Sequence, residues 1–444
     1  MKDFNYTLMH KNKTVAHLCM NETKGNISKI SDLLSAEHLP VGVQHKNAVI
    51  LCANLNEWFK GRSIPASRHG IQKVLDTLNI STPQLILEHS FGLSLSDQYW
   101  IKPTNSTINW NDVNFFENDF SEDMGDLMFG NKNSNESLNL CSPDNTSDGQ
   151  LKKRWKIING KRCLLKAGHD PFMQQPFNEV IASQLMSKLN IPHVTYELEW
   201  QNDEPYSICE DFITADTELV SAWQVMHSKM RSNNCSPYNH FVNICDENGI
   251  KNCKQALDEM FVLDYIIANE DRHFNNFGII RDANTLEWTS MAPIFDSGSS
   301  LGYDKIAQRL HINIECRPFK STHEEQLKLV SSFDWLDFSK LNSMTNEIND
   351  ILSDEKVKTY IDDNRRNAIV NFVENRIQQL ESVALSRNKT TTVEKTFLND
   401  VNYCGASNPI ERSASLGAIA SDCNTTDIAN KLSESSKPKT RYDE

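Results

Sequence analysis

The sequence predicts an α+β protein: an accessory region, then a stretch rich in β-hairpins, then a mainly helical stretch. Three observations predict it. Apolar residues recur at helical spacing within 68–78, 175–190, 256–268 and 366–385. Three pairs of strand-like runs are separated by short turn sequences after residues 158, 201 and 281. Composition shifts near residues 110, 148 and 386, so the chain divides into 1–130, a linker 131–148, a patterned region 149–385 and a tail 386–444.

In chain order, residues 1–130 are expected to form an accessory domain. Ala48-Val49-Ile50-Leu51 reads as a strand-like run, and 68–78 as a helix with Ile71, Val74, Leu75 and Leu78 on one packing face. Residues 111–148 are acidic and rich in Asn and Ser, with Phe115, Phe116, Phe120 and Phe129 interleaved, which suggests a docking surface. Trp155–Ile158 and Lys161–Lys166 flank Asn159-Gly160, a type I′ hairpin signature. A helix over 175–190 follows, with Pro176 in its first turn and Val180, Ile181, Leu185 and Leu189 facing inward. A second hairpin joins 194–200 to 206–212 across 202–205, and a mostly apolar helix covers 256–268. A third hairpin pairs 277–281 with 287–291, and an amphipathic helix runs near 366–385. Beyond 386 the chain is Ser, Thr, Asn and Lys with few aromatics, a composition expected to be disordered.

The 444 residues carry 45 basic against 59 acidic side chains, a net charge of -14, which argues against direct nucleic-acid binding. Eleven cysteines without a C-x-x-C pair suit neither a disulfide framework nor a zinc site. Mean hydropathy is -0.51, no apolar run approaches a transmembrane span, and Met1–Tyr6 has no apolar signal core; the expected location is cytoplasmic.

The chemistry concentrates where the apolar helix ends, in Ala268-Asn269-Glu270-Asp271-Arg272-His273-Phe274-Asn275-Asn276. Asn276 precedes the third hairpin and Asp296 follows it, so antiparallel strands bring an amide oxygen and a carboxylate to one end. Few hard oxygen ligands, with room for water and phosphate, suit Mg²⁺. Asp271, on the same loop, can face a hydroxyl and accept its proton. Phosphoryl transfer also needs a cation on the nucleotide phosphates. Lys166, at the end of the first hairpin, is the candidate, with Glu179 in the next helix to hold it. Each residue also has a plain structural reading: Asp271 as a loop cap, Asn276 and Asp296 as turn residues, Lys166 as a strand-end lysine, Glu179 as a dipole partner, His273 as a backbone-bonded core histidine. Lys152-Lys153-Arg154 with Lys156 reads first as a solvated face, and otherwise as help in holding phosphates.

The order strand-Lys, helix-Glu, hairpin, buried helix, Asp-loop-Asn, hairpin, Asp is that of a protein-kinase-like catalytic domain. The loop resembles that of HipA-like bacterial serine/threonine kinases, N-x-D-x-H-x-x-N, matched by Asn269, Asp271, His273 and Asn276. The resemblance implies a two-lobed kinase fold, with an N-lobe over 149–212 and a C-lobe over 213–385, ATP and Mg²⁺ as cofactors, and a protein Ser/Thr hydroxyl as acceptor. It implies Asp271 as base, with His273 beside it in the catalytic set, and Asn276 and Asp296 as metal ligands. Lys166 and Glu179 would serve the nucleotide, Gly149 would stand in the phosphate-covering loop, and Cys209, Glu210 and Phe212 in the adenine-facing hinge. Such proteins often act as toxins restrained by a DNA-binding antitoxin, which implies a partner of that kind. The sequence departs from the pattern in having Asn275 where many members carry Lys, which turns attention to His273 or Arg272 as a phosphate cation. Asp271-Arg272-His273-x-x-Asn276 also resembles the loop of phosphatidylinositol 3/4-kinases, so a lipid or small-molecule kinase stays open, as does a nucleotide-binding pseudokinase.

Overall fold

A computed structural model describes residues 3–21, 23–68, 70–130 and 138–403, and residues 1–381 form one compact unit. The N-terminal sheet has the order β3-β2-β1-β4, from Asn26–Leu33, Lys13–Asn21, Asp3–His10 and Tyr99–Pro103. Helix α1 (Ala48–Gly61) packs Leu51, Leu55 and Phe59 onto it. The strand expected at Ala48–Leu51 is therefore a helical turn. Four consecutive apolar residues carry no period; the side chain of Asn47 caps the amides of Val49 and Ile50, and the i, i+4, i+8 spacing of the buried residues sets the helix. Helix α2 (Ile71–Leu78) buries Ile71, Val74 and Leu75, the packing face read from the sequence.

The acidic stretch after the short helix α3 (Trp110–Val113) does dock. Phe115 is buried in a cluster that includes Trp110 and Trp155, and Arg162 donates to the Phe115 and Asn118 carbonyls. Glu122 and Asp126, the latter in α4 (Asp123–Phe129), both pair with Arg154, whose side chain is 1% exposed. The solvated-face reading of Lys152–Lys156 thus fails at Arg154, a buried ion pair against the accessory region. The linker reading also fails over 138–148, where Ser142, Asp144 and Asn145 are buried; residues 131–137 lie outside the described residues. Burial pushes the Asp144 carboxyl up to about 7, although it accepts from the Trp155 amide and lies near Arg154 and Arg68.

The next sheet has the order β5-β6-β8-β7, from Lys153–Ile158, Lys161–Ala167, Glu204–Glu210 and Glu197–Gln201. Asn159 and Gly160 both hold positive φ (51° and 78°), as a type I′ turn requires. The second hairpin is tighter than expected: Gln201 faces Glu204 across Asn202-Asp203 alone, both again at positive φ. Helix α5 (Gln175–Leu189) crosses between the hairpins and ends at Asn190 in the left-handed conformation.

The remainder is mainly helical. It comprises α6 (Ala222–His227), α7 (Pro237–Glu247), the buried α8 (Cys253–Ile267), α9 (His323–Leu327), α10 (Met344–Leu352) and α11 (Asp363–Tyr403). The boundary expected at 386 falls inside α11, and the rest of the expected tail lies outside the described residues. The third hairpin, β10 (Gly278–Asp282) with β11 (Trp288–Met291), is one strand wider than the sequence indicated: β9 (Thr217–Ser221) pairs with β10. That strand carries Glu218, whose carboxylate accepts from His10 Nε2 at 2.6 Å and Arg281 Nε at 2.9 Å, while Arg281 also donates to the Tyr99 hydroxyl. A buried polar network therefore joins the accessory sheet to this one. A bulge between Ile280 and Arg281 shifts the register of the third hairpin.

Candidate active site

Between the β5–β8 sheet and the helical region lies a cleft of about 1280 Å³. Strand pairing explains its cationic wall. Lys153 on β5 lies directly opposite Lys166 on β6, so the two share one face of the sheet. Like charges opposed across strands repel, and anions offset this here. Lys166 Nζ lies 2.8 Å from Glu179 Oε1, 2.7 Å from Asp296 Oδ1 and 3.3 Å from the Tyr196 hydroxyl. Burial works against the Lys166 charge, but Asp296 and Glu179 outweigh it and hold the amine well above the usual range. Lys153 has less support: burial, with Lys166 and Arg68 adding to it and Asp296 opposing, pushes it down to about 8. The sequence singled out Lys166 and Glu179 together. Lys153 belongs to the run read first as a solvated face and otherwise as help in holding phosphates, and the hairpin register counted from Asn159-Gly160 singles it out within that run.

The catalytic-loop candidates come next to this wall because α8 stops at Ala268, which takes the left-handed conformation. Arg272 organises the loop. It is fully buried, donates from Nε to Asp264 Oδ2 at 3.0 Å, and gives Nη1 to the carbonyl of Asn276 (3.0 Å) and to that of Phe295. Its Nη2 reaches Ser297 Oγ at 2.9 Å. One guanidinium thus gathers the backbone of both Asn276 and the Asp296 turn. The alternative of Arg272 as a phosphate cation is thereby corrected: its donors are spent inside the protein.

Asn276 donates its Nδ2 to the Asp271 carbonyl at 2.8 Å, which turns its Oδ1 to the remaining side. Asp296 has φ 59°, in the left-handed region. Burial pushes its carboxyl up, and Lys166, Lys153 and Arg272 overcome this to hold it below the ordinary carboxylate range. Asp271 is half-exposed; burial lifts its carboxyl, His273 lowers it, Asp296 raises it and Arg317 lowers it again. His273 Nε2 stands 4.0 Å from Asp271 Oδ2, and Arg317 Nη1 lies 3.2 Å from Asp271 Oδ1. Arg317 carried no sequence signal.

Cys209, Glu210 and Phe212, expected as the adenine-facing hinge, all line the cleft. Cys209 and Glu210 are still within β8, opposite Leu164 and Cys163. The Cys209 thiol belongs to an apolar cluster with Val194 and Tyr196, and burial pushes it up to about 12. The Glu210 carboxylate pairs with Lys161 at 2.6 Å. The chain leaves the sheet at Asp211, and Phe212 stacks near Phe295 with ring centroids 5.4 Å apart, forming an apolar wall of the cleft. Burial pushes the Asp211 carboxyl up to about 8.

Gly149 also lines the cleft, at φ 91°, and a Cβ there would come within 2.8 Å of Lys153 Nζ. Its loop is held from the accessory domain. Arg68 donates Nε to the Gly149 carbonyl at 2.9 Å and Nη1 to Ser147 Oγ at 2.7 Å, and Nη2 to the Ser147 carbonyl. Pro65, Ser67, Ser94 and Ser96 complete this end of the cleft, so the N-terminal region forms part of its wall.

The family model for the HipA-like C-terminal domain matches residues 147–371, a span that holds every one of these candidates except the accessory-domain contacts. The chain belongs to the HipA-like family. Among relatives, the serine/threonine-protein kinase CtkA of Helicobacter pylori is 28% identical over 148 residues, 31% of this chain and 45% of that protein, so the match spans less than half of the curated relative. The solved structure of the H. pylori proinflammatory kinase CtkA aligns with a TM-score of 0.42 and 20% identity, covering 54% of this chain and 95% of that one. HipA of Shewanella oneidensis, solved in a complex with HipB and operator DNA, aligns with a TM-score of 0.47 and 10% identity, covering 85% of this chain and 97% of that one. The matched span is an α+β body in which the β5–β8 sheet and the mainly helical region both line the cleft.

Proposed function

We propose that this HipA-like protein transfers the γ-phosphate of ATP to a serine or threonine hydroxyl of a protein. The observation that carries this reading is Lys166 bonded at once to Glu179 and Asp296, in the same cleft as Asp271 and Asn276. Asn276 Oδ1 and the Asp296 carboxylate suit Mg²⁺. Among the described residues no group of three or more His, Cys, Asp or Glu side chains is placed to hold a metal alone, so the cation's other oxygens would come from phosphate and water, as Mg²⁺ prefers. When bound, Mg²⁺ would neutralise charge on the phosphates. The protein's own residues do the rest. Lys166 and Lys153 face the phosphates, the apolar wall of Phe212 and Phe295 takes the base, and Asp271 accepts the hydroxyl proton. As that proton leaves, the acceptor oxygen bonds to the γ-phosphorus and the bond to the bridging oxygen breaks, releasing ADP.

The test offers the full chain γ-labelled ATP and Mg²⁺ with protein and phosphoinositide acceptors together. Label on protein supports the proposal. Label on lipid alone replaces it with a lipid kinase, and nucleotide binding with no transfer replaces it with a pseudokinase. From family membership alone we also infer a partner of antitoxin type, checked by co-purification with the neighbouring gene product. No helix among the described residues is long and apolar enough to cross a membrane.

Two further outcomes follow from the cleft. Lys153 loses its proton near pH 8 in the nucleotide-free protein, whereas bound phosphates favour the charged amine. ATP affinity is therefore expected to fall as pH rises through about 8, by up to about tenfold per unit. The Lys153→Met variant should lose this dependence; a wild-type profile flat up to the ordinary lysine range would sink the assignment. Arg68→Lys removes the planar fork that holds Ser147 and Gly149. It is expected to raise the KM for ATP by about tenfold with a smaller change in kcat, and an unchanged KM would show that the loop does not depend on Arg68.

A further inference from the structure

Near Asp271, a cation able to meet a transferred phosphate has few sources. Among the described residues lining the cleft, the lysines and arginines are Lys153, Lys166, Lys305 and Arg317. Lys166 is held by Glu179 and Asp296, and Lys153 stands opposite it on the same sheet face. Lys305 is bonded to Glu270. His273 Nδ1 accepts the Asn275 amide at 3.2 Å, which makes the ring neutral with its hydrogen on Nε2. Arg317 differs from all of these. Its side chain is 48% exposed, with Nη1 3.2 Å from Asp271 Oδ1 and Nη2 3.5 Å from Glu315 Oε2. Both carboxylates are themselves solvent-accessible, and ion pairs of that kind hold little net energy. The guanidinium can therefore leave them at small cost.

The backbone beneath it is fixed. Gln326 of α9 is 1% exposed and grips the chain on both sides of Pro318: its Nε2 donates to the Arg317 carbonyl at 2.8 Å, and its Oε1 accepts from the Phe319 amide at 3.2 Å. The Phe319 ring packs on Phe261 of α8 and on Phe274 and Phe277, which bracket Asn275 and Asn276, with ring centroids 5.9, 5.5 and 6.1 Å away. The segment carrying Arg317 is thus pinned to the Asp271–Asn276 loop, while the head of the side chain is not. A cation on an anchored backbone, beside the proton acceptor, is placed to stabilise charge in phosphoryl transfer.

The hydroxyl that gives its proton to Asp271 attacks the γ-phosphorus, so the phosphoryl group passes within reach of a side chain that already touches Asp271. We infer that Arg317 is a catalytic residue of the proposed transfer: its guanidinium moves from Asp271 Oδ1 to the non-bridging oxygens of the γ-phosphate, frees that carboxylate for the hydroxyl proton, and stabilises the charge that develops as the bond to the bridging oxygen breaks. This role rests on the phosphoryl-transfer reading above. The planar fork of the guanidinium suits two phosphate oxygens at once.

The test compares wild type with Arg317→Ala and Arg317→Lys in the full chain. It measures label transfer from γ-labelled ATP across a pH series, and binding of ADP with Mg²⁺ in the presence and absence of aluminium fluoride, a mimic of the phosphoryl group in transfer. Arg317→Ala is expected to lower kcat by about 10²–10³-fold with little change in the KM for ATP. It is expected to weaken binding of ADP with aluminium fluoride at least about tenfold more than binding of ADP alone. Arg317→Lys keeps the charge without the fork and should fall between the two. A residue acting only through Asp271 would behave differently: without Arg317 the Asp271 carboxyl rises, the acid limb of the rate profile moves to higher pH, and kcat recovers beyond it. Recovery of the wild-type kcat at high pH, or undiminished binding of ADP with aluminium fluoride, overturns the role of Arg317 and leaves the kinase reading standing. Absence of transfer by wild type to every acceptor overturns both.

Discussion

Asp271→Ala is expected to lower phosphate transfer to protein by about 10²–10⁴-fold, the usual contribution of a positioned general base, without weakening ATP binding. The reason lies in how the neighbouring carboxylates are committed. Asp296 is held below the ordinary range by Lys166, Lys153 and Arg272, so it is a poor proton acceptor. Glu179 is spent on Lys166 and on the Ser297 amide, and Glu270 is paired with Lys305. Asp271 combines a half-exposed carboxylate with a pKa lifted first by burial, the direction that strengthens a base. Initial rates and ATP affinity, measured on the same preparation, separate the two effects. Asp271→Asn is the control for geometry, since it keeps the shape and removes the proton acceptor. Full activity in either variant would sink the role given to Asp271.

Glu218→Ala is expected to produce the largest loss of stability of any single change considered, about 3–5 kcal/mol, because it leaves the Arg281 charge buried without its carboxylate. Glu218 is 1% exposed and accepts from His10, Arg281 and the Gln98 amide. The same residue predicts an acid response. Burial alone would raise its carboxyl, but the His10 bond and the Arg281 charge hold it at about 2 in the folded chain, against an ordinary value of 4.5. Between those values the unfolded chain binds the extra proton. The stability supplied by Glu218 is therefore complete above pH 4.5 and lost as pH falls toward about 2. Denaturant midpoints at neutral pH and across that window measure both effects; a midpoint unmoved in Glu218→Ala would show that the network contributes nothing net.

Local chemistry was legible where a turn fixed it. Asn159-Gly160 specified a hairpin because both residues accept positive φ, and the hairpin then fixed the face of Lys166. Helix α5 was legible from its period, which placed Glu179 within reach of that lysine. Ala48–Leu51 was misread because four adjacent apolar residues fit a strand as well as a helix, and the deciding cap, Asn47, lies outside the run. The partnership of β9 with β10 could not be read, since it joins segments about 60 residues apart with no turn between them. Arg68, Arg272 and Arg317 illustrate the same limit. Their contacts with the phosphate loop, the Asp296 turn and Asp271 depend on where separate segments meet, and an arginine in a sequence looks the same whether it is solvated or buried.

The region matching the HipA-like family begins at residue 147, yet burial does not respect that position. Arg154 is covered by Glu122 and Asp126, the Trp155 amide is received by Asp144, and Glu218 is closed over by His10 and Gln98. The stretch that matches the family and the stretch that buries these groups are therefore different lengths of this polypeptide. A recombination event that joined residues 147–371 to a foreign N-terminal segment would carry the catalytic candidates across but strand three buried polar groups at the seam. The two sides of the seam are thus coupled, Arg154 to Glu122 and Asp126 and Glu218 to His10 and Gln98, so that a change on either side leaves a buried partner opposite.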